Sequence, residues 1–185
     1  MVRVRSSIMG TTGAKRTLTA LPQVTVPLLP SPVTCATLVF PGGTVLTVQR
    51  RVCDYCKRTI YEQGRARIIE AARLSAGTEP VEELLGRLED SKHSRDRRRL
   101  ADVAILLEEY AREGTLERPR ELNHLRAELR EIKAGDVRLT FYEFIDQVHS
   151  VRVTRLTTGF IKRQQRTSRR EIDRGLWVIR EDRRA

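Results

Sequence analysis

The sequence predicts an α+β fold: a small antiparallel sheet packed with two earlier helices and a C-terminal helix. Two observations predict it. Two stretches with the apolar spacing of amphipathic helices precede three stretches of strand character, and a further helical stretch closes the chain. The strands that follow one another directly are joined by short links, which suit antiparallel neighbours in a sheet covered by helices.

The elements follow in order. Arg67–Ala72 reads as a first strand, with Ile68 and Ile69 apolar. Gly77-Thr78-Glu79-Pro80 is a helix-start signal: Thr78 can cap, and Pro80 suits a first turn because its missing N–H costs nothing there. Val81, Leu84, Leu85 and Leu88 then keep the i, i+3, i+4, i+7 spacing. A second helix is predicted from Ser94 to Arg112, carrying Leu100, Val103, Ala104 and Leu107, with Gly114 placed to end it. The run Arg95–Arg99, interrupted only by Asp96, falls in its first turns, where the helix dipole disfavours cations. That run reads as a solvated face or a partner contact.

Glu128–Lys133 is a short strand candidate, and Ala134-Gly135-Asp136 is a turn signal. Val137–Tyr142 alternates, with Val137, Leu139 and Phe141 on one side and Arg138, Thr140 and Tyr142 on the other. The prediction is a hairpin with one apolar face. Val151–Thr157 forms a third strand closed by Gly159 and Phe160, and a last helix runs from Arg169 to about Arg180 with Ile172, Leu176 and Ile179 facing inward.

Residues 1–60 differ from the rest. They are rich in Thr, Pro, Gly and Val and carry a single acid. Val24–Pro32 and Val33–Thr47 show short β-like runs without helical period. Such a stretch buries little, so a poorly ordered or loosely attached extension is expected, with residues 61–185 as the folded domain. The chain length of 185 residues suits that division.

Lys and Arg total 35 against 24 Asp and Glu, a net charge of +11. That balance points to a polyanionic partner or to a broadly solvated basic surface. Arg152, Arg155, Lys162, Arg163, Arg166, Arg169 and Arg170 fall in one stretch without an acid, where a polyanion site would sit. The cysteines are Cys35, Cys53 and Cys56. An odd count argues against a disulfide framework and fits a reducing cytoplasm. Cys53 and Cys56 make a lone CxxC, open to three readings: ordinary thiols, part of a metal site, or a redox pair. No partner ligands follow at zinc spacing, so no metal and no cofactor is expected. No apolar run reaches the ~18–20 residues of a membrane span. The early apolar stretch is broken by Pro22, Pro27, Pro30 and Pro32, so no signal peptide and no membrane partner is expected.

Three segments carry a family resemblance. They are the helix pair "GTEPVEELLGRLED" with "RRRLADVAILLEEYAREG", the hairpin "AELREIKAGDVRLTFYEF", and the tail "GFIKRQQRTSRREIDRGLW". Together they resemble the phage-derived-like branch of the RelE/HigB toxin superfamily, over roughly residues 65–183. The tail is the most specific part, with order and spacing kept through about a dozen positions. Here Ser168 stands where the family has Pro, Thr158 where His is common, Arg166 where Lys is, and Gly175 where Ala is. Ile172 lies where some members place a tyrosine.

The resemblance implies a ribosome-dependent endoribonuclease that cuts mRNA and is silenced by an antitoxin with a helix-turn-helix domain. RNA supplies its own nucleophile, the 2′-hydroxyl. Cleavage needs a base for that proton, positive charge for the phosphorane and an acid for the leaving 5′ oxygen. A lysine crowded by cations has its charged form disfavoured, which suits it to the base role. By match to the family motifs, Arg138 and Lys162 are expected at the scissile phosphate. Arg130, Lys133, Arg163 and Arg166 are expected to bind RNA and ribosome, and Tyr142 to stack on a base. Each has a plain alternative as surface charge on a half-exposed hairpin or loop. His149 reads as a loop histidine, and Trp177 and Phe160 as core. Leu100–Tyr110 and Arg95–Arg99 are candidate antitoxin contacts. Competing functions are a ParE-like gyrase-targeting protein, a non-catalytic nucleic-acid-binding protein of the same fold, and an inactive prophage remnant.

Overall fold

The computed structural model describes residues 33–39, 45–53, 56–117, 120–147, 150–162, 164 and 166–185, with side chains from Arg50 onward. The elements are β1 (Val33–Val39), β2 (Val45–Val52), β3 (Thr59–Gln63), β4 (Ile68–Ala71), α1 (Glu82–Asp90), α2 (Ser94–Glu113), β5 (Leu122–Arg126), β6 (Leu129–Ala134), β7 (Val137–Asp146), β8 (Val151–Ile161) and α3 (Arg169–Asp182). The class is α+β.

The strands described form one sheet of eight in the order β1-β2-β3-β4-β8-β7-β6-β5. It is mixed, which corrects the antiparallel expectation: β4 pairs with β8 in parallel, Ile68 beside Val153 through Ala71 beside Leu156. The physical reason is the length of chain between them. Two helices and three strands separate β4 from β8, ample for the crossover that a parallel pair needs.

The β-like run at Val33–Thr47 coincides with a hairpin. β1 and β2 pair from Val33 beside Arg51 to Val39 beside Val45. The hairpin joins the sheet through Arg51 beside Ile60 and Val52 beside Thr59. Arg50 also bridges Glu82 and Glu89 on α1 at 2.9 and 2.7 Å. The run Val24–Pro32 lies outside the described residues.

The predicted helices form near their expected bounds. Gly114 ends α2 in the left-handed region at φ 75°, its N–H donating to the Tyr110 carbonyl. The cap of α1 differs: the helix starts at Glu82 after Val81 with no side-chain cap, so Thr78 does not serve. Ser168 caps α3, its hydroxyl accepting from the Glu171 N–H at 3.3 Å. The Ser168…Glu171 spacing is a capping-box signal in the sequence itself.

The helices cover both faces of the sheet. On one side Leu84, Leu85 and Leu88 of α1 and Leu100, Val103, Leu107 and Tyr110 of α2 pack with Ile132, Val137, Leu139, Phe141 and Leu156. On the other side α3 lays Ile179 on Leu129 and Tyr142, with Ile172 and Leu176 alongside. The hairpin therefore lacks a solvent face, a second correction. Thr140 is fully buried, Tyr142 is 2% exposed and Arg138 is 9% exposed. Burial of these polar groups is tolerated because each side chain makes at least one hydrogen bond, Arg138 through its Nη1. Thr140 shares hydrogen bonds with the hydroxyls of Thr157 and Thr158 at 2.7 Å each. A further difference is β8, which runs through Gly159 and Phe160 to Ile161 instead of closing before them.

Gly64 sits where β3 turns towards β4 against the end of α2. Ala66 and Arg67 both donate to the Ala111 carbonyl there, and a Cβ on Gly64 would lie 2.3 Å from the Ala111 carbonyl carbon and oxygen. Backbone cannot yield as a side chain does. Gly64→Ala is expected to destabilise the fold by about 1–3 kcal/mol, read as a lower urea midpoint; an unchanged midpoint would contradict this packing.

Candidate functional site

The β6–β7 turn organises one end of the sheet. Gly135 takes φ 58°, the left-handed conformation a glycine supplies at little cost. Asp136 accepts from Arg99 Nε at 2.9 Å and from Arg95 Nη2 at 3.2 Å, while Arg99 also donates to Asp96 at 2.7 Å. Hydrogen bonding to Arg99 holds the Asp136 carboxyl below the usual carboxylate range; bonding to Ser91 and Arg99 does the same for Asp96. The basic run at the start of α2 therefore anchors this turn. That offsets the unfavourable helix dipole noted from the sequence.

The same turn gathers three of the predicted cations. Lys133 lies directly across from Arg138, and Arg138 directly across from Phe160. The Lys162 N–H donates to the Asp136 carbonyl at 2.8 Å, stitching the end of β8 to the turn. Lys133, Arg138 and Lys162 thus come from the ends of three adjacent strands.

Their environments differ. Arg138 donates from Nη1 to the carbonyls of Gly135 at 2.7 Å and Val137 at 2.8 Å. Burial lowers its pKa below the ordinary guanidinium value, against the pull of Glu131 and Asp136. It is a largely buried charge whose Nη1 is committed to the turn it stabilises. Lys162 is half-buried, and its ammonium carries no ion pair among the described residues.

The remaining predicted residues separate. Arg130 faces the opposite side of β6, about 10 Å along the strand from Arg138. There it pairs with Glu143 at 2.5 Å, beside Arg67 and the Tyr110 hydroxyl, which bind the same carboxylate. Tyr142 is buried beneath α3, its hydroxyl donating to Asp182, and burial pushes its pKa up to about 12. It has no face free for a base, which overturns the stacking role. Arg166 is exposed. Arg163 and His149 lie outside the described residues.

The acid-free stretch from Arg152 to Arg170 is also divided. Arg155 is spent on Glu70 at 2.6 Å and Asp182 at 2.8 Å. Arg152 and Arg166 are exposed near opposite ends of β8. Leu100, Leu107 and Tyr110 belong to the core, so they offer no partner contact; on that helix Ile105 is exposed. Trp177, expected in the core, is 44% exposed on α3.

Sequence reasoning missed Glu131. This carboxylate is buried on β6 and accepts from Asn123 at 3.3 Å and from the Thr167 hydroxyl at 2.8 Å. It holds the segment after β8 over the strand that carries Lys133. A lone acid in a short strand carries no signal of such a bond. Sequence reasoning also missed a groove of about 390 Å³ between α2 and this turn, with Asp102, Ile105, Leu106, Lys133 and Arg138 in its wall. It depends on how α2 lies across β6, which periodicity does not encode.

Among the described residues no group of three His, Cys, Asp or Glu is placed to hold a metal. Cys53 and Cys56 form no disulfide among the described residues. Burial, with the Cys53 contact, pushes the Cys56 thiol up to about 11, whereas reactive CxxC thiols are lowered. Iodoacetamide at pH 8 is expected to label Cys56 roughly tenfold or more slower than in the urea-unfolded chain. Equal rates would contradict that burial. No helix among the described residues is long and apolar enough to cross a membrane.

Comparison with known proteins adds no family. No family model matches this chain, and no curated protein is significantly similar to it.

Proposed function

We propose that this chain is a toxin of the RelE/HigB type, a ribosome-dependent mRNA endoribonuclease held silent by a helix-turn-helix antitoxin. The observation that carries the reading is the meeting of Lys133, Arg138 and Lys162 at the ends of β6, β7 and β8. The element order from β4 to α3, one strand, two helices, then strands and a helix, supports it as the arrangement the resemblance implies.

The chemistry follows from the environments. Attack of a 2′-hydroxyl on its neighbouring phosphate builds negative charge on the phosphorane oxygens. Lys162, uncommitted to any carboxylate described, supplies charge to those oxygens. Arg138 holds the turn in shape and adds field from behind it. Lys133 and Arg166 bind the flanking backbone by charge. Arg130, tied to Glu143 on the other face, drops out of the site.

The test is induction of the full chain in a bacterium, with growth and transcript integrity followed together. Growth arrest with cut mRNA, relieved by Lys162→Ala, is expected. Arrest with intact mRNA would overturn the ribonuclease. One observation favours a second reading, a non-catalytic binding protein of the same fold: Arg138 gives its Nη1 to two carbonyls of the turn, so part of its charge is engaged in holding shape. That protein would bind RNA with strong salt dependence and cut nothing.

A further inference from the structure

We propose that Cys53 and Cys56, at the turn between β2 and β3, form a two-sulfur site for copper(I). The inference stands apart from the ribonuclease reading and uses no residue of that site.

The turn brings the two side chains together. The Cys53 N–H donates to the Arg58 carbonyl at 2.8 Å and the Lys57 N–H donates to the Cys53 carbonyl at 2.8 Å, which closes the turn. Lys57 takes φ 55°, a left-handed conformation that residues with a side chain rarely adopt. Arg73 fixes it from outside, its Nη1 donating to the Lys57 carbonyl. Within this frame the two thiols are hydrogen-bonded to each other. A shared ligand needs that convergence, which the CxxC spacing alone does not ensure.

Both sulfurs are also prepared for charge. Cys53 Sγ accepts from the Cys56 N–H at 3.4 Å, and Cys56 Sγ accepts from the Arg58 N–H. A metal binds the thiolate, so each sulfur must lose its proton. An N–H aimed at a sulfur favours the charged form. Two adjacent thiolates repel, and burial opposes their charge, so the Cys56 thiol keeps its proton when no cation lies between them. A cation seated between the sulfurs offsets both effects. The step binds one copper(I), breaks two S–H bonds and releases two protons, with no change of oxidation state.

The number of ligands selects the metal. Zinc in structural sites takes four, in a tetrahedron. Among the described residues no third His, Cys, Asp or Glu joins this pair. Cys35 lies on β1 beside Gln49, which stands four residues and about 13 Å before Cys53 along β2. Thiolates favour soft cations, and copper(I) is soft and filled by two thiolates in a line. The acid that Cys56 senses, Glu70, is bonded by Arg155 at 2.6 Å and offers hard oxygen, which copper(I) passes over. Both cysteines are half-buried, so the cation can reach them.

The experiment titrates the full-length, reduced chain with copper(I) held by a coloured chelator, in the absence of oxygen, alongside Cys35→Ser, Cys53→Ser and Cys56→Ser. Wild type and Cys35→Ser are expected to take one copper per chain. Cys53→Ser and Cys56→Ser are expected to bind more than about a hundredfold more weakly, since a lost ligand costs more than a lost supporting bond. Circular dichroism checks that the variants fold. X-ray absorption at copper on the wild-type chain is expected to show two sulfur neighbours and no oxygen or nitrogen, a readout that needs no variant. Failure of the wild type to draw copper from the chelator overturns the site. So does undiminished binding by Cys56→Ser, or one copper held between two chains. Loss of binding in Cys35→Ser, or a third ligand at copper, overturns the two-sulfur assignment, as does zinc bound as tightly as copper(I).

Discussion

Asp182→Ala is expected to cost about 3–5 kcal/mol of folding stability. The carboxylate lies at the end of α3, 2% exposed. Its Oδ1 accepts from the Arg73 N–H at 2.7 Å and faces Arg58 at 3.1 Å; its Oδ2 accepts from the Tyr142 hydroxyl and from Arg155 at 2.8 Å. The alanine variant would leave Arg58 and Arg155 with one carboxylate, Glu70, among the anions of this cluster, and would strand the buried Tyr142 hydroxyl. A buried cation without its partner is costly because low-dielectric surroundings replace none of its hydration. The same bonds fix α3 over the β7 face that holds Thr140, so the loss would loosen the whole second layer. Urea denaturation followed by circular dichroism measures it. Asp182→Asn, which keeps the shape and one acceptor oxygen but neither the charge nor the second acceptor, should fall between wild type and alanine. A loss under about 1 kcal/mol, the size of an exposed ion pair, would contradict the account of this cluster.

Such a cluster was invisible in the sequence, and the reason is instructive. Helical spacing at Leu84, Leu85 and Leu88 and at Leu100, Val103 and Leu107 located α1 and α2, because a buried stripe leaves its period in the chain. Alternation located β7, but it labelled Arg138, Thr140 and Tyr142 as solvent-facing. Polar residues read as exposed unless their partners are known, and those partners come from β8 and α3. β3 carried a readable signal in Thr59, Ile60 and Tyr61, all residues that favour strands. β5, Leu-Asn-His-Leu-Arg, does not alternate, and its place at the sheet edge comes from pairing with β6. For the site, the resemblance named Arg138 and Lys162, and their strands do meet. The groove and Glu131 needed coordinates, because both arise where distant elements touch.

Lys162→Ala is expected to lower the cleavage rate by about 10²–10⁴-fold, the usual loss when a group that stabilises developing charge is removed. Folding should be little changed. The bond from this residue to the Asp136 carbonyl is made by its backbone N–H, which alanine keeps. Arg138→Ala is a poorer probe of chemistry. Its two bonds to turn carbonyls would go with it, so its effect mixes shape with charge. Lys162 therefore separates the catalytic role from the structural one, provided melting curves match.

The most direct measurement is the chemical nature of the ends left on a translated mRNA by the purified chain. Attack by the 2′-hydroxyl assisted by Lys162 predicts a 2′,3′-cyclic phosphate on one fragment and a 5′-hydroxyl on the other, both absent with Lys162→Ala. Intact mRNA, fragments with 5′-phosphate ends, or undiminished cutting by Lys162→Ala would contradict it.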